Sequence, residues 1–415
     1  MNLKEDLYKG YLHLNKHGFW VLGGNIIQMI LSILLSIILT NYLTQDSYGK
    51  YKYILSIFSL FAFFSLPGSR PVLIKFITQG FDFIYDKQLY LRLKYSIIGS
   101  ISLILLSIYY YSKDESEYSF VFLLLSLIYP FYYSFNIFGP PLHAKLNYRL
   151  LNILLTIKSI IRIVIITLSL IIFRKFYYVL IIFAISETVI NICYYYYVRA
   201  KFINEEKIDK KIVQEVKKIS IKLSIAGILP LIALNLDKIM IANAFDYSSL
   251  AIFYIGILIG TSTYNIFKPL MNTLNAKLVH KKLEFIHYFV LFITGTIIGL
   301  IATLILPKLI LFVYGDNYAN SFLYCKGILY SLGLFFVSFV YYNQIMYNKS
   351  NSFITIYLSN IIVPVIQIIY VIIVIYFSGT NIVRSLILLS LLLPLKHLLN
   401  LIVLISLRMC KFSYC

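Results

Sequence analysis

Charged residues are scarce in this chain, and acidic residues are scarcer than basic ones. Only 13% of the 415 residues are charged, and 17 Asp and Glu stand against 37 Lys and Arg. Ordinary soluble domains carry about 25% charged residues, so this chain has too few to cover a water-exposed surface. A protein embedded in lipid needs no such cover. The composition therefore excludes an ordinary soluble protein and indicates an integral membrane protein.

The sequence also lacks the motifs of soluble catalysis and of metal binding. It has no phosphate-binding glycine loop and no nucleophile elbow, and its 6 histidines are scattered. The spacing of Cys193, Cys325, Cys410 and Cys415 matches no metal motif, so we interpret them as ordinary unpaired thiols. We predict a transporter rather than an enzyme, with no cofactor and no metal.

Long apolar runs fill most of the chain, and 60% of its residues are hydrophobic. A helix needs about 20 apolar residues to cross a bilayer, and about 12 segments meet this requirement. We therefore predict an all-α integral membrane protein. The predicted spans are 19–40, 53–69, 95–112, 118–138, 153–173, 177–198, 223–244, 248–268, 285–306, 320–346, 353–377 and 385–407.

The net charge is +20, and the basic residues that produce it are distributed as membrane topology predicts. With these spans, the connections on the side of the N-terminus hold roughly three times as many Lys and Arg as the opposite connections, and cytoplasmic loops carry such an excess. Both termini are predicted to be cytoplasmic. Because the basic residues lie between apolar runs, we expect membrane lipid around the chain and no nucleic acid partner.

A basic segment divides the predicted spans into six and six. Residues 199–222 are rich in lysine and have the spacing of an amphipathic interfacial helix. We predict an N-terminal lobe over 1–198, a cytoplasmic linker over 199–222 and a C-terminal lobe over 223–415.

The two predicted lobes resemble each other weakly at one place. The turn after the first span aligns with the turn after the seventh at an offset of 202 residues. The aligned pairs are Asn41 with Asn243, Gly49 with Ala251, and Tyr51 with Phe253. Transporters are often built from such repeats, with the substrate site between them.

Ionisable side chains at the middle of the fifth and sixth spans are the strongest functional signal. Lys158 and Arg162 are four residues apart, so they share one helix face. Glu187 falls at the depth of Arg162 at 1.5 Å per residue, and we predict that these two pair. Lys158 is expected to remain an excess cation. The pair fits a static structural role as well as an ion-coupling site.

Other basic residues fall within or near the predicted spans. Lys326 and Lys396 lie inside spans, whereas Arg70, Lys238 and Lys268 are close enough to span ends for their side chains to snorkel to the interface. Since acids at depth are few, a cavity lined by these residues should attract an anion such as a phosphate or pyrophosphate. The predicted cationic cleft comprises Lys158, Arg162, Lys238, Lys326 and Lys396, with Glu187 and Asp237 as the acids.

Polar stripes run along two spans at the helical period. One contains Asn25, Gln28 and Ser32 in the first span, and the other contains Asn235 in the seventh. Such stripes fit a hydrophilic lumen and fit helix–helix packing about equally well. Asn25, Gln28 and Asn235 are the predicted lumen residues.

Two motifs resemble those of a known family. Residues 39–51 (LTNYLTQDSYGKY) resemble the "fG-x-Y" turn after the first helix of polysaccharide-unit flippases. In residues 229–241 (LPLIALNLDKIMI), Asn235, Asp237 and Lys238 match the "N-x-D-[RK]" signature at the end of their seventh helix. The family is the Wzx-type O-antigen flippase group of the multidrug/oligosaccharidyl-lipid/polysaccharide exporter superfamily.

This resemblance implies a fold, a location and a cargo. The fold would be a V-shaped pair of six-helix lobes in the bacterial inner membrane. The cargo would be an undecaprenyl-pyrophosphate-linked oligosaccharide, flipped from the cytoplasmic to the periplasmic leaflet by alternating access with ion coupling. A polysaccharide polymerase and a chain-length regulator are the protein partners that it implies.

Four alternatives remain open from the sequence. A multidrug exporter of the same fold would favour acids in its lumen, of which this chain has few. A lipid II flippase typically has fourteen spans, and this chain has no room for two spans beyond the predicted twelve. An O-antigen polymerase, a membrane enzyme, carries a large periplasmic loop, and the outward connections here are short. A membrane scaffold gives no reason for charges at bilayer depth.

Overall fold

The chain folds into long apolar helices, as its composition predicts. The computed structural model describes residues 3–204, 209–278, 284–347, 352–377 and 381–412, and all regular structure in these ranges is helical. Helices satisfy their own backbone hydrogen bonds, which a lipid environment demands. The α-helices are α1 (Leu3–Tyr42), α2 (Gln45–Phe61), α3 (Ser69–Thr78), α4 (Ile84–Tyr111), α5 (Ser116–Ser134), α6 (Gly139–Ala144), α7 (Tyr148–Phe173), α8 (Phe176–Phe202), α9 (Lys210–Ala226), α10 (Ile228–Ala244), α11 (Tyr247–Leu278), α12 (Phe285–Tyr314), α13 (Ser321–Tyr330), α14 (Leu332–Tyr347), α15 (Ser352–Phe377), α16 (Ile382–Ser390) and α17 (Leu392–Phe412), with 3-10 turns at Ala62–Ser65 and Asp316–Tyr318.

The helices confirm the predicted multi-pass membrane protein. Within the described ranges, 10 helices are long and apolar enough to cross a membrane, and the number reaches 12 if each of two bent pairs forms one span. The first pair joins Gln45–Ser65 to Ser69–Thr78 with a bend of 46°, and the second joins Ser321–Tyr330 to Leu332–Gln344 with a bend of 45°. These pairs correspond to the predicted spans 53–69 and 320–346.

At two predicted span ends the helical structure extends further than the predicted span, and each extension contains an arginine. The second span does not end at residue 69, because the chain bends there and continues in α3. The helix that contains the third predicted span begins at Ile84, eleven residues before position 95. Arg70 and Arg92, which the sequence placed at a span end and in a connection, therefore lie inside the helices α3 and α4.

The predicted interfacial helix over 199–222 also has different ends. α8 continues to Phe202, and α9 begins at Lys210 with the side chain of Asp209 accepting a hydrogen bond from the backbone N–H of Lys211 at 2.8 Å. α9 and α10 together form one span candidate over Lys210–Ala244. The amphipathic segment is thus continuous with the seventh predicted span.

Packing divides the chain into two units. Unit 1 consists of Met1–Tyr53 and Ile232–Cys415, and unit 2 consists of Ile54–Leu231. This division differs from the linear order of the predicted lobes, because α1 packs along α11 of the C-terminal half. The placement of the first helix depends on tertiary contacts, which the sequence pattern does not show.

Within unit 1, the two turns that align in the sequence pack against each other. A side chain at Gly49 would place its Cβ 1.8 Å from the carbonyl oxygen of Tyr247, so only glycine permits this approach. The hydroxyl of Tyr53 donates to Asn243 Oδ1 at 3.2 Å, and Lys52 Nζ lies 4.0 Å from the centroid of the Tyr254 ring. The two aligned turns therefore contact each other in the fold, and the repeat itself stays a prediction.

We expect Gly49→Ala to destabilise unit 1. The added methyl group must push the backbone of α11 away, and overpacking of this kind costs about 1–3 kcal/mol. The melting midpoint of the detergent-solubilised protein should fall by several degrees. Gly23→Ala in α1 is the matched control, because a Cβ there meets nothing within 4 Å. An equal midpoint for both variants would contradict the close packing at Gly49.

Candidate functional site

In unit 2, two basic and two acceptor side chains meet between α7 and α8. Lys158 and Arg162 lie one turn apart on α7, and Glu187 and Asn191 lie one turn apart on α8. α7 begins after Asn147, whose side chain accepts a hydrogen bond from the N–H of Leu150 at 3.2 Å. The i, i+4 spacing on both helices places each pair on one face. We call these four residues the α7–α8 cluster.

Glu187 is the centre of the α7–α8 cluster. Its Oε2 lies 2.8 Å from Lys158 Nζ, and its Oε1 lies 2.6 Å from Arg162 Nε. Lys158 Nζ also donates to Asn191 Oδ1 at 2.6 Å. Only 3% of the Glu187 side chain and 7% of the Lys158 side chain are exposed, against 30% of Arg162. One buried carboxylate thus holds two cations, and one of these is partly exposed at the surface of unit 2.

The predicted pairing of Arg162 with Glu187 is confirmed, but the prediction for Lys158 is wrong. Lys158 is not a free cation, because it shares the same carboxylate. The excess of positive charge is a property of the whole cluster, in which two bases share one acid. Both Arg162 and Glu187 lie about 17 Å along their helices from the turn that joins α7 to α8, which places the cluster deep in the span.

Two further arginines extend the positive charge of unit 2. The Arg70 side chain is exposed at the surface of unit 2. Its Nη2 donates to the carbonyl oxygen of Asn136 at 3.0 Å. Arg70 lies close enough to both Lys158 and Arg92 for their charges to repel. The sequence interpretation of Arg70 as a snorkelling residue at a span end is therefore replaced by a position beside the cluster.

Unit 1 contains a polar cavity between α1 and α11. Its volume is about 420 Å³, within the usual range of roughly 300–1,000 Å³ for small-molecule sites. The predicted lumen residues Asn25 and Gln28 line it. The other polar residues of the wall are Ser32, Thr261, Ser262, Asn265 and Lys268. We call this space the α1–α11 cavity.

Unit 1 also contains two basic side chains that lie close to each other. Lys396 of α17 is exposed yet largely surrounded by protein, and its charge is near enough to that of Lys268 for the two to repel. Among the side chains that the structure describes, neither lysine forms an ion pair. Lys268 was interpreted from the sequence as a snorkelling residue, but it lines the α1–α11 cavity.

The other predicted site residues lie elsewhere. Lys238 Nζ lies 2.9 Å from Asp237 Oδ1 and donates to the carbonyl oxygen of Leu234 at 2.6 Å, so its charge is neutralised locally. Asn235 is buried in α10. Lys326 Nζ lies 4.8 Å from the centroid of the Phe322 ring. Lys238 and Lys326 are thus engaged by residues of their own helices, and a single cleft that joins all the predicted cationic residues stays a prediction.

Sequence reasoning missed Arg92, Asn191, Asn265 and the positions of Arg70 and Lys268. Asn191 carried a usable signal, since it follows Glu187 by one helical turn. Asn265 and Lys268 are likewise one turn apart on α11. Arg70 was missed because the chain bends after Ser65 and continues in α3, and Arg92 was missed because α4 begins at Ile84, well before the third predicted span.

A comparison with protein families gives one match. The model described as "Polysaccharide biosynthesis protein" matches residues 14–279. No curated protein matches the chain significantly.

Solved structures show the same fold at low sequence identity. An inward-facing multidrug resistance MATE family transporter of the MOP superfamily is 12% identical, with a TM-score of 0.59 over 96% of this chain and 98% of that one. The lipid II flippase MurJ, in an inward closed conformation, is 14% identical, with a TM-score of 0.64 over 91% of this chain and 86% of that one. The Vibrio cholerae MATE transporter VcmN in the bent form is 12% identical, with a TM-score of 0.53 over 97% and 98%. The likeness confirms the all-helical exporter-superfamily fold.

Proposed function

Because this chain belongs to the polysaccharide biosynthesis protein family, we propose that it is a flippase for a lipid-linked oligosaccharide. Its cargo is an undecaprenyl-pyrophosphate-linked repeat unit of an O-antigen or capsule, which it moves from the cytoplasmic to the periplasmic leaflet of a bacterial inner membrane. Both termini lie in the cytoplasm, as the distribution of basic residues favours. The protein acts as a transporter and not as an enzyme.

The α7–α8 cluster is the observation that carries this proposal. An isolated charge at mid-bilayer costs roughly 2.5–3.5 kcal/mol on insertion scales, so two bases on one acid at this depth require a reason. Arg162 is partly exposed and Arg70 lies nearby, so an anion that reaches this surface meets positive charge. A pyrophosphate group provides that anion.

The mechanism must move the negative charge of the pyrophosphate group across the apolar layer of the membrane. The polyprenyl tail remains in lipid, while the sugar and pyrophosphate pass along a hydrated, positively charged surface. Positive side chains lower the cost of carrying two negative charges across the apolar layer. When the anion approaches Arg162, it competes with Glu187 for the guanidinium group. Glu187 is then the group through which cargo binding is coupled to ion or proton movement.

Loss of both bases of the α7–α8 cluster tests the proposal. If the cluster lowers the barrier by roughly 2.5–3.5 kcal/mol, Lys158→Gln with Arg162→Gln should slow translocation by about 100-fold or more. Surface glycan should disappear, and the lipid-linked unit should accumulate in the cytoplasmic leaflet. Both are measured by glycan staining of cells and by extraction of lipid-linked saccharide.

The matched control removes the same charge outside the span. Arg174→Gln with Lys175→Gln neutralises two exposed residues in the turn between α7 and α8, and it should leave surface glycan unchanged. Membrane abundance of both variants is compared by quantitative immunoblot. Normal glycan display by the Lys158/Arg162 variant, at normal abundance, would remove the cluster from the mechanism.

A multidrug exporter is the second candidate, favoured by the likeness in fold to MATE transporters. Deletion of the gene separates the two functions. The flippase proposal expects loss of surface glycan without a change in resistance to cationic drugs. Drug sensitivity with normal glycan would favour the exporter.

A further inference from the structure

The α1–α11 cavity of unit 1 has a lining unlike that of the α7–α8 cluster. Its walls present amide and hydroxyl groups, and one lysine is its only charged residue among the lining residues. Asn25, Ser32 and Asn265 are exposed in the cavity. Apart from Lys268 the wall is neutral and polar, so most of it must be explained apart from the cationic sites.

Two amides of this wall, those of Asn25 and Asn265, are available for a ligand. Among the described residues, Asn25 and Asn265 have no hydrogen-bond partner within the protein. Each amide offers two N–H donors and a carbonyl acceptor, and polar groups left facing lipid are costly. Such side chains are favourable only where water or a polar cargo fills the space. Hydroxyl groups of a sugar donate and accept hydrogen bonds, as these amides do.

The charge at the lysine end of the cavity adds a second requirement. Lys268 lies one helical turn from Asn265 on α11, and Lys396 is near enough to add its own field. A ligand that fits both parts must be rich in hydroxyl groups and must carry an anionic group at one end. A sugar joined to a diphosphate has this combination.

We propose that the α1–α11 cavity is a binding site for the sugar adjoining the diphosphate of the cargo. Asn25 and Asn265 contact the sugar, and Lys268 contacts the diphosphate. This inference rests on the proposed function, and it adds that the neutral sugar has its own site in unit 1.

The single tryptophan of the chain provides a direct measurement. Trp20 is the only Trp, and it precedes Asn25 on α1 by about 7.5 Å of helix. Its fluorescence is titrated in purified protein with farnesyl diphosphate and with three adducts of it that carry glucose, galactose or N-acetylglucosamine. The adducts differ from one another only in the sugar, and each differs from the unglycosylated probe by the sugar and by the one negative charge that the second ester bond removes.

In the wild type, at least one adduct should bind about tenfold more tightly than farnesyl diphosphate, a difference of ~1.4 kcal/mol. Asn25→Ala with Asn265→Ala should abolish that preference and leave the affinity for farnesyl diphosphate unchanged. Lys268→Gln should weaken the binding of all four probes. Asn317→Ala with Asn320→Ala is the matched control, because both residues are exposed and lie outside the cavity lining.

Each other outcome overturns a stated part. If the asparagine variant keeps the preference, or if no adduct exceeds farnesyl diphosphate in the wild type, the sugar site is wrong and the flippase proposal stands. If the asparagine variant loses affinity for all four probes equally, the cavity binds the anionic group and not the sugar. If the wild type binds none of the four probes, the flippase proposal fails together with this one.

Discussion

Glu187→Gln is expected to destabilise unit 2 by about 3–5 kcal/mol, because it leaves buried cations without their counter-charge. The unpaired charge of Lys158 contributes most of this cost, because only 7% of its side chain is exposed. Its remaining partner, Asn191, is a neutral acceptor and does not balance the charge. Arg162 is 30% exposed and can be partly hydrated. The melting midpoint and the yield of folded protein after solubilisation should both fall sharply. These are measured by size-exclusion chromatography after heating.

An exposed ion pair gives the matched control for Glu187→Gln. Asp46 pairs with Lys50 at 2.8 Å at the start of α2, with 49% of the Asp46 side chain exposed. Exposed pairs contribute about 0–1 kcal/mol, so Asp46→Asn should leave the melting midpoint nearly unchanged. Equal midpoints for Glu187→Gln and Asp46→Asn would contradict the buried position of Glu187.

A second substitution separates stability from transport. Replacing a buried ion pair by neutral side chains of similar volume is often neutral for stability, so Lys158→Met should rescue the fold of Glu187→Gln. Surface glycan should not return in this double variant, because the proposed coupling carboxylate is gone. Recovery of glycan along with the fold would show that Glu187 acts only as a structural counter-charge.

The part of the site that sequence predicted depends on regular geometry. The pairing of Arg162 with Glu187 follows from two helices that share one turn, since residues at equal distance from that turn lie at equal depth. The stripe containing Asn25 and Gln28 follows from the helical period in the same way. Such inferences need only the rise of the helix and its period, which hold before any tertiary contact is known.

The missed residues depend on contacts that no local pattern contains. The sequence placed Arg70 at a span end, whereas the structure places it inside α3, because the chain bends near Leu66 and continues as a helix. A hydropathy window averages over such a bend and does not detect it. Asn265 is recognised as a cavity residue only from the packing of α11 beside α1, which the sequence does not show. Lys158 was misjudged because one carboxylate serves two cations, and counting charges along a sequence cannot assign shared partners.

Arg92→Met is expected to cost about 3 kcal/mol or more, because charged hydrogen bonds contribute about 1.5–3 kcal/mol each. Arg92 is 1% exposed, and its partners are backbone and hydroxyl oxygens. Its Nη1 donates to the Leu66 carbonyl at 3.1 Å and to Ser69 Oγ at 2.7 Å, and its Nη2 donates to the Tyr133 carbonyl at 2.6 Å. Leu66 has a left-handed backbone with φ of 53°. Arg92 therefore binds the backbone where the span bends.

The guanidinium geometry makes Arg92→Lys a sharper test of this role. A lysine keeps the charge but cannot reach the Leu66 and Tyr133 carbonyls with the planar fork of arginine, so it should destabilise nearly as much as methionine. Lys94→Met, two residues along α4 and exposed, removes a charge from the same helix and should leave the melting midpoint unchanged. If lysine at position 92 restores wild-type stability, charge alone supports the bend. If it does not, the directional hydrogen bonds to the two carbonyls hold the second span in its bent form.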